Sequence, residues 1–205
     1  MTHHLTRINL LSHHQLQLWG SHAMAVSPEI TYLIAALSCA TVGSVCDLRS
    51  RRVPNLLTGP AIIAGLGLHL LLGGPAAMGL SLLSGLIAGG LFLVFFLAGG
   101  MGAGDVKLMM AIGCLAGTVY LKEILIATVV VGGLMGVVVA LFRGRLRETI
   151  ANVFILLRHH GDNGMEAHGE LNVRNPSTLR LPYAVPIAAG CLLTSLFAFV
   201  ERSAN

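Results

Sequence analysis

Charge is what this chain has least of. Lys, Arg, Asp and Glu make up 11% of its 205 residues, against 55% hydrophobic. Soluble domains carry about 25% charged residues, so an ordinary water-soluble globule is excluded. The 52 residues from Val53 to Gly104 hold no charged side chain at all. Cysteine pairing is missing too. Cys39, Cys46, Cys114 and Cys191 fall within or at the ends of apolar stretches and form no C-x-x-C pair, which removes the zinc-ribbon and dithiol-redox classes and leaves each as a small buried hydrophobe. The net charge of +4 does not point to nucleic acid, because in so apolar a chain the distribution of charge matters more than its sum.

What the chain has is apolar length. A helix needs roughly 20 apolar residues to cross the hydrocarbon core. The charge-free stretch has room for two, and further charge-free runs cover 30–46, 108–121, 124–142 and 181–200. The reading is an all-α, polytopic membrane protein of about six transmembrane helices, at about 30–46, 56–72, 77–98, 106–120, 124–142 and 183–200. Ser27-Pro28-Glu29 is a helix start, with a capping hydroxyl, a proline at the first position and a carboxylate in the first turn. Pro54 pushes Val53 out of the helical region, leaving Asn55 to cap the second span. Gly73-Gly74-Pro75 is expected to end that span. Ser81, Gly85 and Gly89, and Gly132, Gly136 and Ala140, form small-residue stripes that let helices approach closely in lipid.

Residues 1–28 are expected to be an extension outside the fold, disordered or foreign to it; they hold five of the nine histidines and lack a long apolar run. The transmembrane domain is expected over 29–201, with a polar loop at 143–181. Leu146, Ile150, Val153, Phe154 and Leu157 recur there at helical steps and suggest an interfacial helix. The same loop carries His159, His160, Asp162, Glu166, His168 and Glu170, which are metal-ligand types. No H-E-x-x-H accompanies them, so a solvated loop is the reading. His69, alone in an apolar span, is expected to be packed or at the lipid interface.

With six spans, ten Lys and Arg side chains fall in the loops after the odd-numbered spans and three on the other side. Positive charge stays in the cytoplasm, which puts the odd loops there and both termini outside. Arg49, Arg51 and Arg52 are topology determinants in this reading. Asp47 and Asp105 then lie on one face of the membrane, each at the end of an apolar span. Ionisable groups at such depth are costly and usually functional. Two close carboxylates cannot both ionise easily and share a proton. One can then take a proton from water while the other polarises a carbonyl; no metal or cofactor is required. The alternative is an ion- or proton-binding site.

The surroundings of the two aspartates sharpen this. Gly102-Ala103-Gly104-Asp105-Val106-Lys107 removes side-chain bulk just before a carboxylate, where a peptide backbone can approach. Asp47 is followed, six residues on, by Val53-Pro54-Asn55. At these residues the chain resembles the type IV prepilin peptidases, intramembrane aspartic proteases with a G-x-G-D motif. Asp47 with Val53-Pro54-Asn55 matches the first motif of that family, with valine for the commoner isoleucine. Gly102, Gly104, Asp105 and Lys107 match the second. Pro182-Tyr183-Ala184 is a weaker third match, with alanine for the usual glycine.

The resemblance covers about residues 30–200. It implies Asp47 and Asp105 as the catalytic pair, and glycines 102 and 104 as the opening for the substrate strand. It also implies cleavage of the basic leader of a prepilin or pseudopilin at the cytoplasmic face of the inner membrane. Lys107 would bias Asp105, bind lipid phosphate, or simply reach the interface. Only about nine residues separate the first two spans, so the cysteine-bearing cytoplasmic domain of bifunctional members is missing. The chain therefore resembles the short, peptidase-only type linked to Flp or tight-adherence pili. The implied partners are the prepilin substrate, membrane lipid and, indirectly, pilus or secretion machinery, with no nucleic acid. A transporter and a catalytically silent assembly factor remain the competing readings.

Overall fold

The computed structural model describes residues 27–97, 101–144 and 182–204, and every described element is helical. The helices are α1 (Pro28–Ser50), α2 (Asn55–Leu97), α3 (Ala103–Phe142) and α4 (Ala184–Ala204). Each is long and apolar enough to cross a membrane. The chain is thus an all-α membrane protein. The expected extension at 1–28 and the loop at 143–181, with its histidines and interfacial helix, lie almost wholly outside the described residues.

The chain divides into two compact units, Met1–Thr31 and Tyr32–Asn205. Of the first, only the start of α1 is described, where the Ile30 and Thr31 amides both donate to the Ser27 carbonyl. Everything below concerns the second unit.

Four helices are long and apolar enough to cross a membrane where about six spans were expected, but α2 and α3 are each two helices joined across a kink. The second span does break at Gly73-Gly74-Pro75, as expected. The backbone leaves helical geometry at Gly74 alone (φ 79°, ψ −175°), and Pro75 resumes it, as a proline can in a first turn. In α3 the departure comes at Gly117 (φ 67°, ψ −172°). The expected polar interruption at Lys122 and Glu123 is helix instead. A single glycine with positive φ makes each break, at the expected place in α2 and a turn early in α3, because only a residue without Cβ takes that conformation cheaply.

Both glycines turn the chain back. A straight helix would hold residues 65 and 85 about 30 Å apart, at ~1.5 Å per residue. Yet both face Cys114: a Cβ on Gly65 would lie 2.7 Å from its carbonyl oxygen, and one on Gly85 would strike its Sγ. Likewise the Asp105 charge reaches Tyr183, while a Cβ on Gly132 would lie 3.5 Å from Pro186, one turn further along α4. Both halves of α2 therefore pack on the first half of α3, and the second half of α3 returns along α4.

Small residues make that packing possible. Without a hydrophobic drive between helices in lipid, association rests on close van der Waals contact and interhelical hydrogen bonds. Ser81, Gly85 and Gly89 do face α3, where Ser81 Oγ donates to the Cys114 carbonyl at 2.6 Å. Cys39, Cys114 and Cys191 are buried free thiols, and Cys46 is half-buried. His69 is buried, stacked on Tyr32 with ring centroids 3.8 Å apart, and its Nδ1–H donates to the Gly65 carbonyl. That bond sets the tautomer and makes His69 a packed residue beside the Gly117 turn.

Candidate active site

Asp47 sits in the last turn of α1, which runs to Ser50 and so carries the carboxylate on a helix rather than in a loop. The helix closes on Arg51. Its amide donates to the Asp47 carbonyl at 2.7 Å with φ at 54°, the left-handed conformation usually left to glycine. The Arg51 charge also acts on the Asp47 carboxylate, which is half-buried. This role is not legible in the sequence, where Arg51 reads as one of three topology-setting arginines and arginine gives no turn signal.

Val53 then turns inward and is buried. Asn55 does not act as the expected cap. It is the first residue of α2, and the Pro54 carbonyl takes the Leu57 and Thr58 amides at 3.0 and 3.4 Å. The Asn55 side chain is thereby released to reach another helix: Lys107 Nζ donates to its Oδ1 at 2.9 Å.

Asp105 lies in the first turn of α3 and keeps 7% of its surface exposed. Its Oδ2 accepts the Gly102 amide at 3.2 Å, so the carboxylate satisfies one of the free donors at its own helix start. A carboxylate there is also favoured by the helix dipole. The second motif thus holds its aspartate rigidly. The spaces beside its two glycines are already used. A Cβ on Gly102 would lie 3.3 Å from Asp105 Oδ2, and one on Gly104 would lie 3.3 Å from both the Cβ and the backbone nitrogen of Val53. At Gly104 the room a side chain would need is taken by Val53 of the first motif.

These contacts bring the two motifs together at one end of the bundle. The Asp47 charge acts on Asp105, although α2 and the Arg51–Pro54 link separate them along the chain. Gly43, one turn before Asp47, packs on the Leu108 side chain, one turn after Asp105. Tyr183, just before α4, joins them. Burial first, and the Asp105 charge second, push its phenol above the ordinary value of 10, so it is a neutral hydroxyl near neutral pH. Pro182 precedes α4, its carbonyl accepting the Val185 amide at 3.0 Å.

Two neighbouring carboxylates, one half-exposed and one buried, cannot both ionise easily. That is the arrangement in which one accepts a proton from water and the other donates a hydrogen bond to a carbonyl. Among the described residues no group of three or more His, Cys, Asp or Glu side chains is placed to hold a metal ion.

Comparison with known proteins yields one relation. The type IV leader peptidase family matches residues 34–141, more than half of the chain and including both aspartates. Among the curated proteins and among the solved structures nothing matches.

Proposed function

The chain belongs to the type IV leader peptidase family, and on that premise we propose that it is an intramembrane aspartic endopeptidase that trims the leader of a type IV prepilin-like protein. Membership makes it a protease acting on prepilin-like substrates. The finer reading rests on the meeting of Asp47 and Asp105, supported by the effect of the Asp47 charge on Asp105 and by the two contacts that tie their motifs. The ionised carboxylate takes a proton from a water as the water's oxygen attacks the scissile carbonyl carbon. The protonated carboxyl hydrogen-bonds the carbonyl oxygen as charge develops there. As the intermediate collapses, a proton passes to the leaving amine and the C–N bond breaks.

The excess of Lys and Arg on the side carrying both aspartates supports a cytoplasm-facing site in a bacterial inner membrane. The short link between α1 and α2 supports a peptidase without the methyl-transfer activity of larger relatives. Co-expression with candidate prepilins tests the reading. The wild-type chain should shift the mobility of one of them, and Asp105→Ala should leave that precursor uncut. Ion flux into sealed vesicles with no peptide cleavage would replace this reading with transport.

A further inference from the structure

Nothing covalent sets the separation of the two aspartates directly. Asp47 ends α1, Asp105 begins α3, and all of α2 lies between them. Their spacing depends on how the short link after α1 docks on the start of α3. Gly43 against Leu108 sets α1 beside α3, and two further contacts, different in kind, dock the link. Val53 against Gly104 is a packing contact without the directionality of a hydrogen bond. The bond from Lys107 Nζ to Asn55 Oδ1 at 2.9 Å has direction and joins the end of the link to the residue two beyond Asp105.

We infer that Lys107 and Asn55 form a positioning pair, a strut between the two motifs that holds the carboxylates at their working separation. Lys107 is then neither a catalytic residue nor primarily a lipid anchor. The backbone around the pair is arranged for this. The Pro54 carbonyl opens α2, so the Asn55 amide is spared from capping and offers its oxygen outward. Both partners are exposed, and an exposed hydrogen bond contributes little to folding. Its loss therefore shows in the geometry of the site rather than in the survival of the fold. This inference rests on the reading of Asp47 and Asp105 as a working pair.

The test uses the full chain in proteoliposomes with a precursor that the wild type cleaves. Lys107→Met and Asn55→Leu should each lower kcat about 10- to 100-fold, the loss expected for a small misplacement of reacting groups, with KM little changed. The double variant should be no worse than either single one, Lys107→Arg should recover part of the rate, and Lys122→Met, in the exposed stretch of α3, should match wild type. A second readout needs no activity. With the four native cysteines replaced, Val53→Cys with Gly104→Cys should form a disulfide, more slowly once Lys107→Met or Asn55→Leu is added. Full kcat in Lys107→Met, a change in KM alone, losses that multiply in the double variant, or an unchanged cross-linking rate would each overturn the strut. If the wild type cuts no precursor, the peptidase reading fails, and the cross-linking comparison still decides whether the strut exists.

Discussion

Val53 occupies the volume that a side chain at Gly104 would need. A Cβ on Gly104 would stand 3.3 Å from the Val53 backbone nitrogen as well as from its Cβ. A side chain can swing aside, but a backbone nitrogen cannot without moving the link that follows Asp47. The glycine of the second motif and the valine of the first therefore form one contact between the two motifs.

That contact makes Val53→Cys with Gly104→Cys a cross-linking pair, since Cβ atoms about 3.5–4.5 Å apart suit a disulfide. In a background lacking the four native cysteines, oxidation should shift the protein's mobility on a non-reducing gel. Gly104→Leu should abolish cleavage by lifting the link away. Failure to cross-link, together with normal activity of Gly104→Leu, would show that the motifs do not meet in this way.

Asp47→Asn and Asp105→Asn should each remove cleavage, and the double variant should be no worse than either one. Groups that act as a unit are non-additive. Both variants should insert and purify like wild type, because the side-chain oxygen that Asp105→Asn retains can still accept the Gly102 amide. Single-turnover cleavage in detergent is the measurement, and substantial turnover by either single variant would dissolve the pair.

Gly113 and Gly67 should respond oppositely to alanine. A Cβ on Gly113 would lie 2.7 Å from the Ser84 carbonyl oxygen and 2.9 Å from Gly85 Cα, whereas one on Gly67 meets nothing within 4 Å. Gly113→Ala should cost about 1–3 kcal/mol by overpacking. Gly67→Ala, inside α2, should gain about 0.5–1 kcal/mol. Reversible unfolding in mixed micelles reads both, and equal effects would contradict the packing of α2 on α3.

Tyr183 should titrate above the ordinary phenol value of 10, because burial and the Asp105 charge both disfavour the phenolate. Its folded state holds the proton more tightly than the unfolded chain does. Its contribution is therefore intact below pH 10 and is lost as pH rises through the folded value. Tyr183→Phe should leave stability near neutral pH little changed and flatten its alkaline decline. An unchanged alkaline decline in Tyr183→Phe would remove the hydroxyl from this environment.

Much of the site was legible as residues and little of it as contacts. Asp47 and Asp105 stand out because carboxylates are rare in so apolar a chain, and the residues around them carry the family likeness. Asn55 misled, since an asparagine at a helix start reads as a cap; the preceding Pro54 carbonyl takes that duty, and the side chain turns to Lys107. Arg51 was silent, because its left-handed backbone follows from how α1 ends and not from any preference of arginine. Lys107 offered three local roles, and the one seen depends on a partner in another helix. Gly73-Gly74-Pro75 marked the break in α2, though one glycine suffices for it.

Sequence alone determined that this chain is helical and belongs in a membrane. In hydrocarbon every backbone amide and carbonyl must be satisfied within the segment, and the long charge-free runs mark the segments that do so. It also singled out the two acids at the ends of apolar spans, because burying a carboxylate is costly. Tertiary structure decided where α3 folds back, that Val53 fills the notch at Gly104, and that Lys107 reaches Asn55. A glycine turns left-handed, and a lysine chooses its acceptor, according to what another part of the chain places beside it, and no local pattern encodes that neighbour.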